Sequence, residues 1–353
     1  MKRKTKLKKI FRKKPTPKLI DSDQPNEAVR ITNDNLPEHR KEVLSSARKY
    51  IYPLQHSKHR IVMISTGLFI AVVVAFFSYC TIALYNAKSN TDFLYDVTRV
   101  VPFPVAKAGP DFVAYENYLF ELRHYIHYYQ TQQGVDFNSE SGKQQLAVYK
   151  QQALNEVIND AYVTQIAKKN HITVSNQELN NQINIVQNQN LLGASEKSFE
   201  DVLKDNFGWT LNDFRRSLKQ QMLAQKVAAT LDTNAQKQAN AALTELQKGV
   251  DFATVAKQYS DDTLTKDNGG QFSSLIDQTT SDLSAQTTYA LFKLKPGQSS
   301  GIINNGSGLE IVKNISIQGN KIQGAHILIN YQDVNTYVNQ LKDTEKTQLY
   351  IKL

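Results

Sequence analysis

Residues 249–270 read GVDFATVAKQYSDDTLTKDNGG, and they are the segment that best indicates the fold of the second half of the chain. Asp251 is a favourable helix N-cap, because its carboxylate can accept hydrogen bonds from free backbone N–H groups. The apolar residues after it recur at helical spacing and predict a helix with one buried face: Phe252, Val255, Ala256 and Tyr259. Gly269 and Gly270 supply the backbone freedom of a sharp turn. The stretch therefore predicts a helix, a polar loop and a turn into extended chain.

Two further motifs follow in the same order, ALFKLKPGQSS at 290–300 and GLEIVK at 308–313. Together the pieces resemble the parvulin family of peptidyl-prolyl isomerases, whose pattern runs G-x-D/N-F-x-x-L/V-A-x-x-Y/F-S-x-D, G-G-x-L/F, A-x-F-x-L-x-x-G-x-x-S and G-x-H/x-I-I-K. The resemblance implies an α+β domain, an antiparallel four-stranded sheet with helices. Four blocks in the right order are more specific than any one of them.

A parvulin opens with a strand that bears His-Ile-Leu, and this chain departs from that order. Residues 231–234 lead directly into a helix expected over 235–248, whereas the motif GAHILI stands at 324–329, after the last strand. Residues 309–317 and 322–329 flank a turn and predict a hairpin that would complete the sheet from its other end. This favours a circular permutation. The alternative is a truncated second parvulin with its first helix at 334–341.

The resemblance also implies the catalytic residues. His326 matches the histidine of the family's first strand and Asp262 matches its acidic position, while Glu310 stands where a second histidine is expected. A structural histidine inside the sheet and a plain loop role for Asp262 are the alternative interpretations.

The expected substrate-binding residues form the floor for the proline ring: Leu283, Thr287, Phe292 and Phe272. Leu283 falls near the family's Met/Leu position, and Thr287 stands where a phenylalanine is expected. A threonine floor holds proline weakly, because a buried hydroxyl costs free energy and offers less contact area. The site is therefore expected to be a weakened isomerase site.

Three strings before this region predict helices with a short extended link at 171–174 and a break at 208–210: ALNEVIND at 153–160, IAKKNHITVSNQEL at 166–179 and FEDVLKDNFGWTLNDFR at 199–215. Ser175 and Glu178 form a capping box, in which each side chain accepts from the other residue's backbone donor. The strings resemble the N-terminal helical domain of SurA and PrsA, extracytoplasmic foldases that join such a domain to a parvulin module. The resemblance implies an all-α chaperone domain over 105–231, which we expect to fold on its own apolar faces.

Residues 61–85 carry no charge and would span about 37 Å as a helix, enough for a bilayer core of about 30 Å. Residues 1–60 carry a net charge of +11 and the remaining 293 residues a net of −2. The positive-inside rule places the basic tail in the cytosol and the body outside the cell membrane. The tail is expected to be mostly disordered and to meet anionic lipid. A near-neutral body disfavours nucleic acid as its partner.

The predicted organisation has six parts. They are the tail at 1–60, a single transmembrane helix at 61–86, a proline-containing extended linker at 87–104, the helical domain at 105–231, the parvulin-like domain at 232–332 and a C-terminal helix or tail at 333–353. A hydrolase or nucleotide enzyme is not indicated, since no G-x-S-x-G motif or phosphate loop is present. No cofactor is expected. His124 and His127 have a metal-compatible spacing, but no third ligand is evident and no metal is expected.

The sequence thus predicts a membrane-anchored extracytoplasmic foldase. Its partners would be unfolded or proline-containing exported polypeptides. The alternative is an isomerase-inactive holdase or envelope scaffold that keeps the parvulin fold.

Overall fold

The computed structural model describes residues 31–51, 54–188, 195–280 and 282–353. The chain divides into two compact units between Ala75 and Phe76, and each unit is described by itself. The predicted disordered segment at residues 1–30 lies outside the described residues.

The first unit contains helix α1 (Leu36–Ile51) and most of helix α2 (Leu54–Thr81), which a single π-helical turn at Ile82–Asn86 extends. Helix α1 occupies part of the tail, most of which the sequence predicts to be disordered. Pro37 lies in its first turn, where a missing N–H costs nothing, and no glycine or further proline interrupts it. By length and composition, the helix over His59–Asn86 is apolar enough to cross a membrane.

The second unit begins with a helix where the sequence predicts an extended linker. Helix α3 (Asp92–Val100) fills the middle of residues 87–104. Leu94 and Thr98 are buried on its inner face, so tertiary packing stabilises a helix that its flanking prolines alone would not indicate. The predicted extended conformation is therefore wrong for this segment.

The helical domain is built on one long helix. Strands β1 (Pro104–Ala108) and β2 (Asp111–Ala114) form a hairpin and precede the helices. Its helices are α4 (Tyr115–Gln132), α5 (Glu140–Lys169), α6 (Asn176–Asn188), α7 (Glu196–Phe207) and α8 (Leu211–Leu231). The capping box predicted at Ser175 is present, with the Ser175 N–H donating to Glu178 Oε2 at 2.8 Å and the Glu178 N–H to Ser175 Oγ at 3.2 Å.

The C-terminal segment belongs to the same helical domain. Helix α12 (Val334–Thr344) packs on α5 and α8, and strand β6 (Thr347–Leu349) pairs antiparallel with β1. Val338 and Ile351 are buried in the same core as Leu154 and Tyr115. This corrects the expectation that residues 105–231 are sufficient, because their apolar faces are completed from the other end of the chain.

The sheet domain lies between these two parts of the helical domain. Its helices are α9 (Thr233–Gln247), α10 (Phe252–Tyr259) and α11 (Ala285–Lys293), and its strands are β3 (Ile303–Asn304), β4 (Gly308–Gln318) and β5 (Lys321–Asn330). Asp251 caps α10 by accepting from the N–H groups of Ala253 and Thr254, as predicted. The order of the three strands is β3-β4-β5, all antiparallel.

Strands β4 and β5 form the predicted hairpin, with Ile311 opposite Ile327 and Val312 opposite His326. The fourth place in the sheet is taken by residues 271–276, which meet the free edge of β5 through isolated bridges of Gln271 to Ala325 and Ile276 to Ile322. Strand β5 therefore has partners on both edges. The His-Ile-Leu motif is central in the sheet, although it comes last in the domain.

Candidate functional site

His326 lies on β5, and its side chain contacts Glu310 and Asp262. Its ring Nδ1 donates to Glu310 Oε1 at 2.6 Å, and its Nε2 donates to Asp262 Oδ2 at 2.8 Å. Glu310 is on the neighbouring strand β4, and Asp262 is in the loop after α10. A carboxyl group beside each ring nitrogen favours the doubly protonated imidazolium, in which both nitrogens donate.

Gly270 allows the loop that carries Asp262 to lie close to His326. The His326 N–H donates to the Gly270 carbonyl at 2.8 Å, and Gly270 has a φ of +76°. A Cβ on Gly270 would lie 2.1 Å from the His326 carbonyl oxygen, so a side chain there would push the loop off the strand. The glycine pair noted in the sequence is thus what allows the Asp262 loop to approach β5.

Burial and charge act in opposite directions on this group. Burial is the largest single influence on His326 and lowers its pKa, but hydrogen bonding and charge from Glu310 and Asp262 together outweigh it and raise the pKa. For Asp262, burial raises the pKa, while hydrogen bonds from Thr265, His326 and the Leu264 N–H outweigh burial and lower it. Both shifts therefore favour the ionised pair of His326 and Asp262.

Two residues that the sequence did not indicate complete the network. The Thr265 hydroxyl donates to Asp262 Oδ2 at 2.5 Å and lies 3.1 Å from His326 Nε2. The Asn305 amide donates to Glu310 Oε2 at 3.3 Å. Thr265 lies three residues after Asp262 in a polar turn, a spacing that favours such a bond, whereas Asn305 carries no comparable signal.

Thr287 does not form a floor for a ligand. Its side chain is 1% exposed, and its hydroxyl donates to Glu310 Oε2 in a short hydrogen bond. Helix α11 presents it there because Ser284 caps the helix and accepts from the Thr287 N–H at 3.1 Å. Thr287 therefore stabilises the buried carboxylate that replaces the expected second histidine.

Of the three apolar residues predicted to bind substrate, one lies beside His326 and two lie elsewhere. The Phe272 ring lies beside His326, with 4.6 Å between ring centroids. Leu283 and Phe292 are half-buried against the small core of Ile276, Leu291, Val312 and Ile322, and Phe292 also borders a cavity with Asp277 and Ile317. The geometry brings His326, Asp262, Glu310, Thr287 and Phe272 together. It gives Leu283 and Phe292 packing roles.

The helical domain holds a second arrangement of acidic residues around a cavity of about 660 Å³. Glu121 of α4 and Asp160 of α5 line it, together with Arg216 of α8. Burial, followed by the charges of Glu156 and Asp160, raises the pKa of Glu121 to about 8. Burial likewise raises the pKa of Asp160 to about 6. The guanidinium of Arg216 is held by Glu116 through two hydrogen bonds of 2.6 and 2.9 Å.

His124 and His127 hold helix α7 in place. His127 Nε2 donates to the Asp205 carbonyl at 2.9 Å, and the His124 ring stacks on Trp209 with 4.4 Å between centroids. The tyrosines around them are core residues, since Tyr118 is buried and Tyr129 stacks on Tyr149 at 4.3 Å. Both histidines therefore have structural partners at the end of α7.

Comparison with known proteins gives a family to each domain. Residues 54–228 match the SurA-like N-terminal domain family, and residues 221–316 match the PPIC-type PPIASE domain family. The chain joins a SurA-like domain to a rotamase domain. The sheet domain is called the rotamase domain from here on. The family match to the rotamase domain ends at residue 316, so β5 and His326 lie beyond it.

The similar curated proteins are foldases. The chain is 30% identical over 227 residues to foldase protein PrsA of Clostridium botulinum (strain Okra / Type B1), covering 52% of this chain and 65% of that protein. It is 27% identical over 209 residues to foldase protein PrsA 1 of Lactiplantibacillus plantarum, covering 54% and 66%. The chain thus spans just under two thirds of the length of these relatives.

Two solved structures are also similar. A crystal structure of peptidylprolyl isomerase PrsA from Bacillus anthracis is 21% identical and covers 54% of this chain and 88% of that chain, with a TM-score of 0.18. The foldase protein PrsA of Streptococcus pneumoniae is 20% identical and covers 55% and 75%, with a TM-score of 0.19.

Proposed function

We propose that this protein is a membrane-anchored extracytoplasmic foldase that binds unfolded exported polypeptides and whose rotamase domain has weak proline isomerase activity. The observation that carries the proposal is the group formed by His326, Asp262 and Phe272, which places a charged network beside an aromatic face. The similarity to PrsA foldases supports the same class of function.

An isomerase must lower a barrier of about 18–20 kcal/mol for rotation of an X-Pro amide. No covalent step is needed, because groups that favour the twisted amide over the planar one are sufficient. The network is more open at its Asp262 end, where the side chain is 19% exposed, than at its Glu310 end, where it is 3% exposed. A client proline would therefore meet Asp262 and Thr265, with Phe272 as the apolar contact.

The same geometry gives a reason for weak activity. Both ring nitrogens of His326 are engaged with carboxylates, and Thr287 is committed to Glu310 rather than to a ligand floor. The second candidate function, an inactive holdase, rests on this observation. In that case the client would be held by the helical domain, whose cavity of about 660 Å³ is bordered by the exposed ring of Phe112.

The full chain in lipid nanodiscs separates the two candidates. We expect cis–trans exchange of an X-Pro peptide to exceed the uncatalysed rate, and Asp262→Ala to remove most of the excess while leaving aggregation suppression of an unfolded client unchanged. The exposed Asp267→Ala serves as the matched control. Exchange at the uncatalysed rate with full aggregation suppression would instead establish the holdase.

The proposed topology has its own test. Protease added outside intact cells, or spheroplasts where an outer layer shields the surface, should digest the region after Asn86 and spare the basic tail. Protection of the C terminus under these conditions would contradict the extracytoplasmic placement.

A further inference from the structure

We infer that helix α3 is an interfacial helix that holds the helical domain against the extracytoplasmic surface of the membrane through the face formed by Phe93 and Val100. This inference rests on the membrane anchor of the proposed function and concerns what happens where that anchor leaves the bilayer. The two residues are spaced i and i+7, about two helical turns apart, so they share one face of α3. Phe93 is 52% exposed and Val100 is 83% exposed.

The opposite side of α3 is fixed to the domain. Leu94 and Thr98 are buried, and Asp92 accepts a hydrogen bond of 2.5 Å from Arg123 of α4. The Arg123 guanidinium also lies 4.9 Å from the centre of the Tyr95 ring. A helix held on one side cannot turn its exposed apolar face inward. Its exposed apolar side chains can therefore be buried only by contact with something outside the domain.

The position of α3 identifies the partner as lipid. The Phe93 ring lies beside Tyr79 of α2, with 6.3 Å between ring centroids. Tyr79 belongs to the apolar helix His59–Asn86 and precedes its end by seven residues, which corresponds to about 10 Å along a helix. The exposed face of α3 therefore begins beside the candidate membrane span, at a level before its end. A single exposed apolar residue would need no explanation, but this stripe is continuous with a lipid-facing helix.

The end of α2 enters the domain without a spacer. Cys80 and Leu84 are buried in the core of the helical domain, and the Tyr115 hydroxyl donates to the Leu84 carbonyl at 2.6 Å. The Tyr85 hydroxyl donates to the Pro104 carbonyl at 2.7 Å. One face of the last turns of the apolar helix is thus covered by protein, while Ile82 between the buried residues is 59% exposed.

This burial shortens the part of the helix that is left for the bilayer. Residues 61–79 would span about 28 Å at 1.5 Å per residue, close to the hydrocarbon thickness of about 30 Å. The interface then falls at the level of Tyr79 and Phe93.

Site-specific fluorescence in proteoliposomes tests the inference on the full chain. Cys80→Ala removes the sole cysteine, and a bimane label is then placed through Phe93→Cys, Val100→Cys, Asp96→Cys, Val148→Cys or Leu68→Cys. Quenching is measured with aqueous iodide and with nitroxide lipids that carry the spin label near the headgroup or near the bilayer centre. Val148 is the matched control, because it is 54% exposed on the surface of α5.

We expect the labels at Phe93 and Val100 to be quenched by the headgroup-level nitroxide and to be several-fold less sensitive to iodide than those at Asp96 and Val148. The label at Leu68 should respond to the nitroxide at the bilayer centre. Loss of the Leu68 response would overturn the anchor itself. A normal Leu68 response with iodide-sensitive labels at Phe93 and Val100 would overturn only the interfacial helix.

A third result distinguishes lipid from protein as the partner. Labels at Phe93 and Val100 that resist iodide without any nitroxide quenching would mean that a client or a second copy covers this face, and the inference would be wrong. Amide exchange gives a readout without labels. The double variant Phe93→Gln and Val100→Gln should speed exchange of α3 in liposomes, whereas the exposed control pair Val148→Gln and Tyr289→Gln should leave it unchanged.

Discussion

The two domains treat their partly buried carboxylates in opposite ways. In the rotamase domain, Glu310 and Asp262 enclose a cation, and the Asp262 pKa is lowered. In the helical domain, Glu121 and Asp160 line a cavity beside one another, and both have raised pKa values. Burial alone therefore does not determine the direction in which the pKa of a carboxyl group shifts. The partner that the fold places beside it decides whether charge is kept or suppressed.

The domains also differ in how the chain closes them. The rotamase domain is contiguous, and its last strand returns through a tight hairpin to the centre of the sheet. The helical domain is formed by two segments far apart in sequence, since β6 and α12 complete what β1 and α5 begin. The first closure depends on a local turn. The second depends on the rotamase domain bringing the C-terminal segment back.

The largest effect is expected from deleting residues 333–353, which breaks the second closure. The helical domain would lose the buried side chains of Val338 and Ile351 and the backbone partners of β1, so its core should become exposed. Amide exchange should accelerate across 104–108 and 149–167, while 321–330 stays protected. Removing only Lys352 and Leu353, which are exposed, is the control. Unchanged protection of β1 would show that the domain does not need its C-terminal segment.

The next effect is expected from Glu310→Gln, which removes one of the two anions around His326. His326 would keep Asp262 as its remaining charged partner, and the loss of one charge-assisted hydrogen bond costs about 1.5–3 kcal/mol. Urea unfolding of the rotamase transition should show this loss. Glu245→Gln, at a partly exposed pair with Lys248, should cost less than about 1 kcal/mol. Equal losses for both variants would mean that the His326 network is not stabilised by charge.

A smaller effect of opposite sign is expected from Glu121→Gln. The folded pKa of about 8 lies above the ordinary value of 4.5, so stability is greatest below pH 4.5 and is lost as the pH rises to about 8. The neutral amide should stabilise the protein by roughly 1–2 kcal/mol at pH 8 and flatten this slope. Thermal unfolding between pH 5 and 8 measures it.

The exposed Glu140→Gln, which removes an ordinary surface carboxylate, provides the control for that series. A variant at Glu121 that keeps the original pH slope would show that this carboxylate is ionised in the folded protein. The contrast between the two domains would then not hold.

The smallest effect is expected from the neighbouring pair Thr287→Val and Thr288→Val. Thr287 donates to Glu310, so its loss should cost about 1 kcal/mol. The buried Thr288 hydroxyl has no hydrogen-bond partner in the described part of the chain, so valine there should be neutral or slightly stabilising. Chemical unfolding compares the two. A costly Thr288→Val, or a neutral Thr287→Val, would remove the special role assigned to the Glu310 network.

The sequence by itself determined the local elements of this protein. Helical spacing and caps such as Asp251 and Ser175 predicted helices at the observed positions, because these signals act between residues three or four apart. The hairpin of β4 and β5 followed from two apolar runs around a short turn. The motif around His326 indicated one member of the candidate site, and the spacing of the family pattern indicated Asp262 and Glu310.

The contacts between these elements could be seen only in the tertiary structure. Ala106 of β1 pairs with Leu349 of β6, and the Tyr162 hydroxyl donates to the Glu345 carbonyl at 2.6 Å. No local sequence pattern predicts either contact. The same holds for α3, which is helical because Leu94 and Thr98 find a partner in α4, and for Thr287, whose hydroxyl serves Glu310 from another element. Such contacts join residues far apart in sequence, and their free energy exists only once the chain has folded.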